Sequence, residues 1–353
     1  RTDRLFGRDC LGYQQTQRTA PESPGHHQGQ RIFRLSGGNA VQGRPGKDYC
    51  LVPGESGSSF VLTDLIECHS SLVRLLHLED SLGEIDSNII ITFRLIHDKQ
   101  QMRNNHVPRI TIFSPPKSFD HPHINIIQRN AIKSWLNMHD QISVYLVGNE
   151  DGVEEIANEF GVGYIPEVER NNLGTPYVSS IINKVKEATD AEILIYTNAD
   201  ILFPPEIVSA SSYLSFRYPK FVGVGHRWDV EIEEEIDVLD QSYQVIHDRL
   251  LTKAVKNRSV AIDYFVFPKE IYTDVPDFTV GRSGWDNWMI YHAIVSDWPV
   301  IDLSPEVQVI HQNHDYHHLP NGKSHYKLEE SLENIKLAGG AEHMYSLLDS
   351  RLE

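Results

Sequence analysis

From Arg109 onward the chain alternates short β-rich runs with helical runs, and this alternation limits its fold more than any other feature. Arg109-Ile-Thr-Ile-Phe-Ser114 is rich in β-branched and aromatic residues and stops at Pro115-Pro116. Ile124, Ile127, Ala131 and Trp135 then recur at helical spacing and give one apolar face. Residues 142–147 read as a second strand closed by Gly148-Asn149, residues 151–160 as a short acidic helix, and residues 162–165 as a third strand. Thr175-Pro176 has the capping hydroxyl and first-turn proline of a helix start. Behind it, Val178, Ile181, Ile182 and Val185 form a core-facing stripe. Glu192-Ile-Leu-Ile-Tyr196 is an apolar strand that runs directly into Thr197-Asn198-Ala199-Asp200. This order predicts an α/β fold whose mostly parallel, Rossmann-like sheet carries helices on both faces. Ligands of such sheets bind beyond the carboxyl ends of the strands. Ser114 to Lys117 and Asn198 to Asp200 are therefore expected at one shared crevice.

The first hundred residues have a different texture. Residues 1–60 are rich in Gly, Gln, Arg and Pro without sustained periodicity, which predicts an irregular, extended or loop-rich arm. One helix over residues 60–78 and a β-rich run over 89–96 follow. The chain thus divides into an N-terminal arm or subdomain, 1–105, to which no chemistry attaches, and an α/β domain over 106–345. A chain of 353 residues buries a core without staples. Cys10, Cys50 and Cys68 have no C-x-x-C spacing, so neither a zinc site nor a disulfide framework is expected. Single bridges Cys10–Cys50 or Cys50–Cys68 stay open beside three unpaired thiols. Lys plus Arg number 32 against 49 Asp plus Glu, and the net charge of −17 disfavours nucleic-acid and anionic-membrane partners. No apolar run approaches the ~20 residues of a membrane-spanning helix. Scarce cysteine favours the cytoplasm, with a Golgi lumen as the alternative if an N-terminal anchor has been removed.

Three constellations carry chemistry. In Asn198-Ala199-Asp200, a carboxylate directly after a buried strand suits a hard divalent cation held against a diphosphate. The plainer use is a strand-to-helix loop whose side chains satisfy backbone donors. In Gly281-Arg282-Ser283-Gly284-Trp285-Asp286-Asn287-Trp288, an acid between two indoles opens an amphipathic helix running to Ser296. Apolar surroundings raise the pKa of Asp286 and suit a general base, and a Trp285 face suits the C–H face of a sugar. Helix capping by Asp286 and core filling by the indoles are the plainer readings. Residues 309–318 hold His311, His314, His317, His318 and Asp315, where His311 or His314 can complete the coordination of a metal on Asp200. Two lesser signals are Arg129, for phosphate or a surface ion pair, and Asp263, for an acceptor hydroxyl or a pair with Arg282. The acidic run 231–237 reads as a solvated face. The glycosylation sequon Asn257-Arg258-Ser259 is of a kind that chance supplies. Glycine motifs for dinucleotides and P-loops are absent, and so is a nucleophile elbow.

In order, the strand at 109–114, Asn171-Asn-Leu-Gly-Thr-Pro176, Asn198-Ala-Asp200, Asp263-Tyr264, Trp285-Asp-Asn-Trp288 and His311 resemble the GT-A class of nucleotide-sugar glycosyltransferases. The resemblance covers residues 106–320. It implies that Ser114 and Pro115 meet the base and ribose of a UDP- or GDP-linked donor, and that Arg129 faces the diphosphate. It implies Mn2+ or Mg2+ on Asp200 with His311 as a later ligand, and Asp286 as the base of an inverting transfer. The acceptor would be a glycan, a lipid-linked or a protein hydroxyl. The usual metal motif has two carboxylates, whereas Asn198 offers a neutral carbonyl oxygen, which weakens the metal site or ties it to a bound diphosphate. Two other readings stand beside the transferase: a metallohydrolase centred on 311–318, and a non-catalytic sugar-binding module of the same fold.

Overall fold

The structure, a computed structural model, describes residues 107–236, 243–314 and 328–350, and the backbone of three strands between residues 31 and 51. The chain divides into two compact units, Arg1–Phe93 and Arg94–Glu353. In the first, β1 (Arg31–Arg34), β2 (Ala40–Gly43) and β3 (Tyr49–Leu51) form an antiparallel sheet in that order, so the expected arm carries extended, paired backbone. The expected helix at 60–78 and β-run at 89–96 lie outside the described residues, as do Cys10, Cys68 and Asp237.

The second unit is built on a seven-stranded sheet. Its strands are β4 (Ile110–Ser114), β5 (Ile142–Val147), β6 (Gly163–Ile165), β7 (Ile193–Thr197), β9 (Val222–Val224), β12 (Tyr264–Pro268) and β13 (Val300–Asp302). Their order is β13-β9-β12-β7-β4-β5-β6, and β12 alone runs against its neighbours. The period of two along each strand sorts side chains between two cores. Ile110, Ile112, Ile193, Ile195, Tyr264 and Val266 face one core. There they meet α1 (Pro122–Leu136), α2 (Val153–Phe160) and α4 (Glu206–Arg217) through Ala131, Trp135, Ile156, Ile207 and Leu214. Phe113, Leu194, Tyr196, Phe265 and Phe267 face the other, against α3 (Val178–Ala188) and α6 (Trp285–Val295). The expected stripe Val178, Ile181, Ile182 and Val185 is buried throughout.

Two local expectations are corrected. Thr175-Pro176 does not cap α3: the helix starts at Val178 behind Tyr177, with no side-chain cap, and the Thr175 hydroxyl donates to Glu330 Oε1 at 2.6 Å. Helix α6 is not amphipathic. Trp285, Trp288, Met289, Ile290 and Ala293 are buried, and on the rest of the helix only Val295 is exposed. Gly284 opens it at φ 107°, a conformation that favours glycine.

A smaller sheet, β11-β10-β14-β8, joins β8 (Ile201–Leu202), β10 (Arg227–Val230), β11 (Val255–Lys256) and β14 (Val309–Gln312). Strand β14 lies parallel to β10 and antiparallel to β8, with His311 opposite Asp229 on one side and Ile201 on the other. That register brings residues far apart in sequence to the end of β7.

Candidate active site

The antiparallel β12 explains the site's position. Tyr264 pairs with Thr197, so Asp263, just before β12, lies beside Asn198, just after β7. Arg227 and Asp229 arrive from β10, and His311 and His314 from β14 and the turn after it. The result is one chain of polar contacts. Tyr196 Oη donates to Asn198 Oδ1 at 3.2 Å, and Asn198 Nδ2 donates to Asp263 Oδ1 at 2.6 Å. Arg227 Nη1 donates to both Asp263 oxygens at 3.0 and 2.9 Å, and its Nε stands 3.0 Å from Asp229 Oδ1. His311 Nδ1 lies 3.1 Å from that same oxygen. On its far side, His311 Nε2 is 4.0 Å from Asp200 Oδ2 and His314 Nε2 is 3.1 Å from it. Lys117 closes the chain, its Nζ 3.0 Å from His314 Nε2 and 3.8 Å from Asp200 Oδ2.

Backbone positions are fixed by buried amides on α1. Gln128 accepts from the Lys117 N–H at 2.7 Å and donates to the Lys117 carbonyl at 2.9 Å. Asn130 donates to Gln312 Oε1 at 3.0 Å, and Gln312 Nε2 in turn donates to the Asp200 carbonyl at 3.2 Å. Within Gln128-Arg129-Asn130, the two amides and not the arginine serve this site.

Asp200 is buried, which by itself raises a carboxyl pKa, but the charges and hydrogen bonds of His311, His314 and Lys117 together hold it well below the usual range. Its Oδ1 is buried and has no hydrogen-bond partner among the described residues. Ligand atoms of Asp200, His311 and His314 all lie within 4.8 Å of one another. One carboxylate and two imidazoles with an unused carboxylate oxygen fit a divalent first-row cation such as Mn2+ or Zn2+.

The expected residues fall in different places. Asp200 and His311 come together, with His314 beside them. Ser114 ends β4 with a buried Oγ that has no partner among the described residues, next to half-buried Pro115. Arg129 is the clear correction: its guanidinium pairs with Glu159 and Glu235 and lies over the Phe160 ring 5.2 Å from its centroid, so the surface ion pair prevails over the diphosphate role. Asn198 and Asp263 are engaged with Tyr196 and Arg227, and Arg282 pairs with Glu330 instead of Asp263. Trp285 is 6% exposed, with its ring 4.9 Å from Tyr196 edge to face, so it fills core and offers no sugar platform. Asp286, in the first turn of α6, has its pKa raised to about 6, chiefly by burial. The acidic run is solvent-exposed at Glu231, Glu233, Glu234 and Glu235, as expected. Asn257 donates to Asp229 Oδ2 at 2.5 Å, so the sequon asparagine is committed to the polar chain. Asp315, His317 and His318 lie outside the described residues.

Sequence reasoning missed Arg227 and Asp229. Their signal is the Arg-Trp-Asp alternation, which sets both on one face of a strand. No helix among the described residues is long and apolar enough to cross a membrane.

No family model matches the chain, and no curated protein matches it. Solved structures do, at low identity. Glucosyl-3-phosphoglycerate synthase of M. tuberculosis is 14% identical over 69% of this chain and 85% of its own, with a TM-score of 0.42. The same enzyme solved with Mn2+, UDP and phosphoglyceric acid aligns over 68% of this chain and 81% of its own, at 14% identity and a TM-score of 0.42. A mannosyltransferase from Pyrobaculum calidifontis, solved with GDP-Man and Mn2+, is 15% identical over 59% of this chain and 61% of its own, with a TM-score of 0.35.

Proposed function

We propose that the chain is a glycosyltransferase that moves a sugar from a UDP- or GDP-linked donor to an acceptor hydroxyl with inversion. The observation that carries this reading is the Asp200, His311 and His314 cluster at the carboxyl edge of a mostly parallel sheet, with one buried carboxylate oxygen unused among the described residues. Asp200, His311 and His314 would hold Mn2+ or Mg2+, and a bound divalent ion neutralises charge developing on a departing diphosphate. Ser114 Oγ, buried and without a partner among the described residues at the end of β4, would meet the nucleoside. Asn198 is not an ion ligand in this reading: with its carbonyl on Tyr196 and its amide on Asp263, it stiffens the end of β7. Asp286 would take the acceptor's hydroxyl proton, and a pKa near 6 leaves it ionised yet basic at neutral pH. Asp263, whose two oxygens are both engaged by Arg227, would orient that surface and not bind the acceptor directly.

Two imidazoles and one carboxylate are also a zinc donor set, which favours the metallohydrolase as the second reading. A thermal-shift panel separates the two, because a ligand of the native state alone raises the midpoint. UDP, GDP and their sugar conjugates are each tested with and without Mn2+, and Zn2+ is tested alone. A shift with one nucleotide that needs Mn2+ is expected. A shift with Zn2+ alone and none with any nucleotide would overturn the transferase in favour of the hydrolase. A flat panel would leave the sugar-binding module.

A further inference from the structure

Lys117 stands where a divalent ion would bind. Its Nζ is 3.0 Å from His314 Nε2 and 3.8 Å from Asp200 Oδ2, and those two ligand atoms are 3.1 Å apart. Divalent first-row ions take imidazole nitrogen and carboxylate oxygen at about 2.0–2.2 Å. An ion bridging His314 and Asp200 would therefore share its corner with the ammonium. Two cations so close in a partly desolvated site repel strongly. The lysine backbone cannot retreat, because both its N–H and its carbonyl are bonded to Gln128. Only the side chain is able to move.

We infer that Lys117 is the resident cation of this site, and that a divalent ion loads only as the ammonium is displaced. Once displaced, the ammonium loses its pair with Asp200 and needs another anion. A nucleotide diphosphate brings one, so ion and diphosphate bind together more tightly than either alone. This makes loading of the ion conditional on the donor. The inference rests on the divalent-ion reading of Asp200, His311 and His314, and not on the transfer chemistry.

The test is Mn2+ binding to the full chain, followed by electron paramagnetic resonance of the unbound ion. Wild type, Lys117→Met and Lys117→Arg are titrated without nucleotide, then with UDP and with GDP. Lys117→Met is expected to bind Mn2+ alone about tenfold or more tightly than wild type, while Lys117→Arg, which keeps the charge, stays near wild type. The extra tightening produced by the diphosphate is expected to be smaller in Lys117→Met than in wild type. A lysine that only supports the fold would weaken both affinities, not strengthen one. Lys117→Gln replaces the methionine variant if that chain does not fold. Equal Mn2+ affinity in wild type and Lys117→Met would overturn the inference and leave the ion site standing. Absence of Mn2+ binding in both would overturn the inference and the ion site together. The Mn2+-alone comparison decides the role of Lys117 whatever UDP and GDP do.

Discussion

Asp200 and Glu330 are both withdrawn from water, with side chains 9% and 10% exposed, and both are held below the usual carboxylate pKa against the opposing effect of burial. Glu330, on α7 (Glu329–Leu337), is saturated. Its Oε1 accepts from Asn171 and Thr175, each at 2.6 Å, and its Oε2 accepts from Arg282 at 2.6 Å. It ties the 171–175 loop, the 281–284 loop and the C-terminal helix into one unit. Asp200 has His311, His314 and Lys117 around it yet leaves Oδ1 without a partner among the described residues. The first arrangement is architecture. In the second, a buried acceptor is left unmade among the described residues, which costs stability. The two sites differ in the imidazoles that only Asp200 has beside it and in its unmet oxygen.

Exchanging the roles of these two carboxylates would break that comparison, so Asp200→Ala is the first variant. It is expected to weaken Mn2+-dependent nucleotide binding by about a hundredfold or more, with a smaller loss of thermal midpoint than Glu330→Gln. Next is Asp286→Asn, which should slow transfer by about 10²–10⁴ and leave nucleotide affinity nearly unchanged, because a base acts only in the chemical step. Full activity in Asp286→Asn would remove the base assignment.

The pH dependence follows from the same residue. With its pKa raised from 3.8 to about 6, Asp286 is protonated below pH 6, so the transfer rate should rise as pH passes upward through about 6. Because its folded pKa lies above the unfolded 3.8, stability falls as pH rises from about 4 to about 6 and stays lower above that, so Asp286→Asn should melt higher than wild type at pH 7 and show no advantage below pH 4. Calorimetric scans at the two pH values read this sign directly.

Glu330→Gln sharpens the other half of the comparison. It should cost about 2–4 kcal/mol in denaturant unfolding, since Arg282 loses a buried partner, with Mn2+ and nucleotide affinity kept within about twofold. The depressed pKa of Glu330 gives stability that is present above the unfolded value of 4.5 and lost as pH falls through the lower folded value. The penalty should therefore fade in acid. Arg129→Ala has the smallest expected effect, about 1 kcal/mol or less in stability and none on diphosphate affinity, because its partners Glu159 and Glu235 are about half exposed.

The sheet and its two apolar cores were legible because strand and helix periodicity are local signals. Ile110–Ser114, Ile142–Val147 and the stripe on α3 follow from residues within one turn or one pleat of each other. The edge that carries both Ser114 and Asp200 was legible for the same reason, since it needs only the ends of the parallel strands β4 and β7. Partners were not. Arg129 and Asp263 each had a plausible ion pair or ligand in the sequence, but the groups that claim them, Glu159 with Glu235 and Arg227, come from other elements. The unexpected antiparallel β12 sets the Asp263 contacts, and no periodicity encodes strand direction. Thr175 carries the chemistry of a helix cap, yet Glu330, 155 residues later, offers its hydroxyl a charged acceptor. The indole of Trp285 marks a core as readily as a sugar site, and packing against Tyr196 and Phe265 decides for the core.

The most direct measurement is calorimetric titration of UDP and of GDP into wild type and Asp200→Ala, each with and without Mn2+. Wild type should bind one of the two nucleotides with Mn2+ and far more weakly without it, and Asp200→Ala should lose that difference. Identical nucleotide affinity with and without Mn2+ in wild type, or an unchanged Mn2+ effect in Asp200→Ala, would contradict the assignment of Asp200, His311 and His314 as the ion site of a nucleotide-sugar transferase.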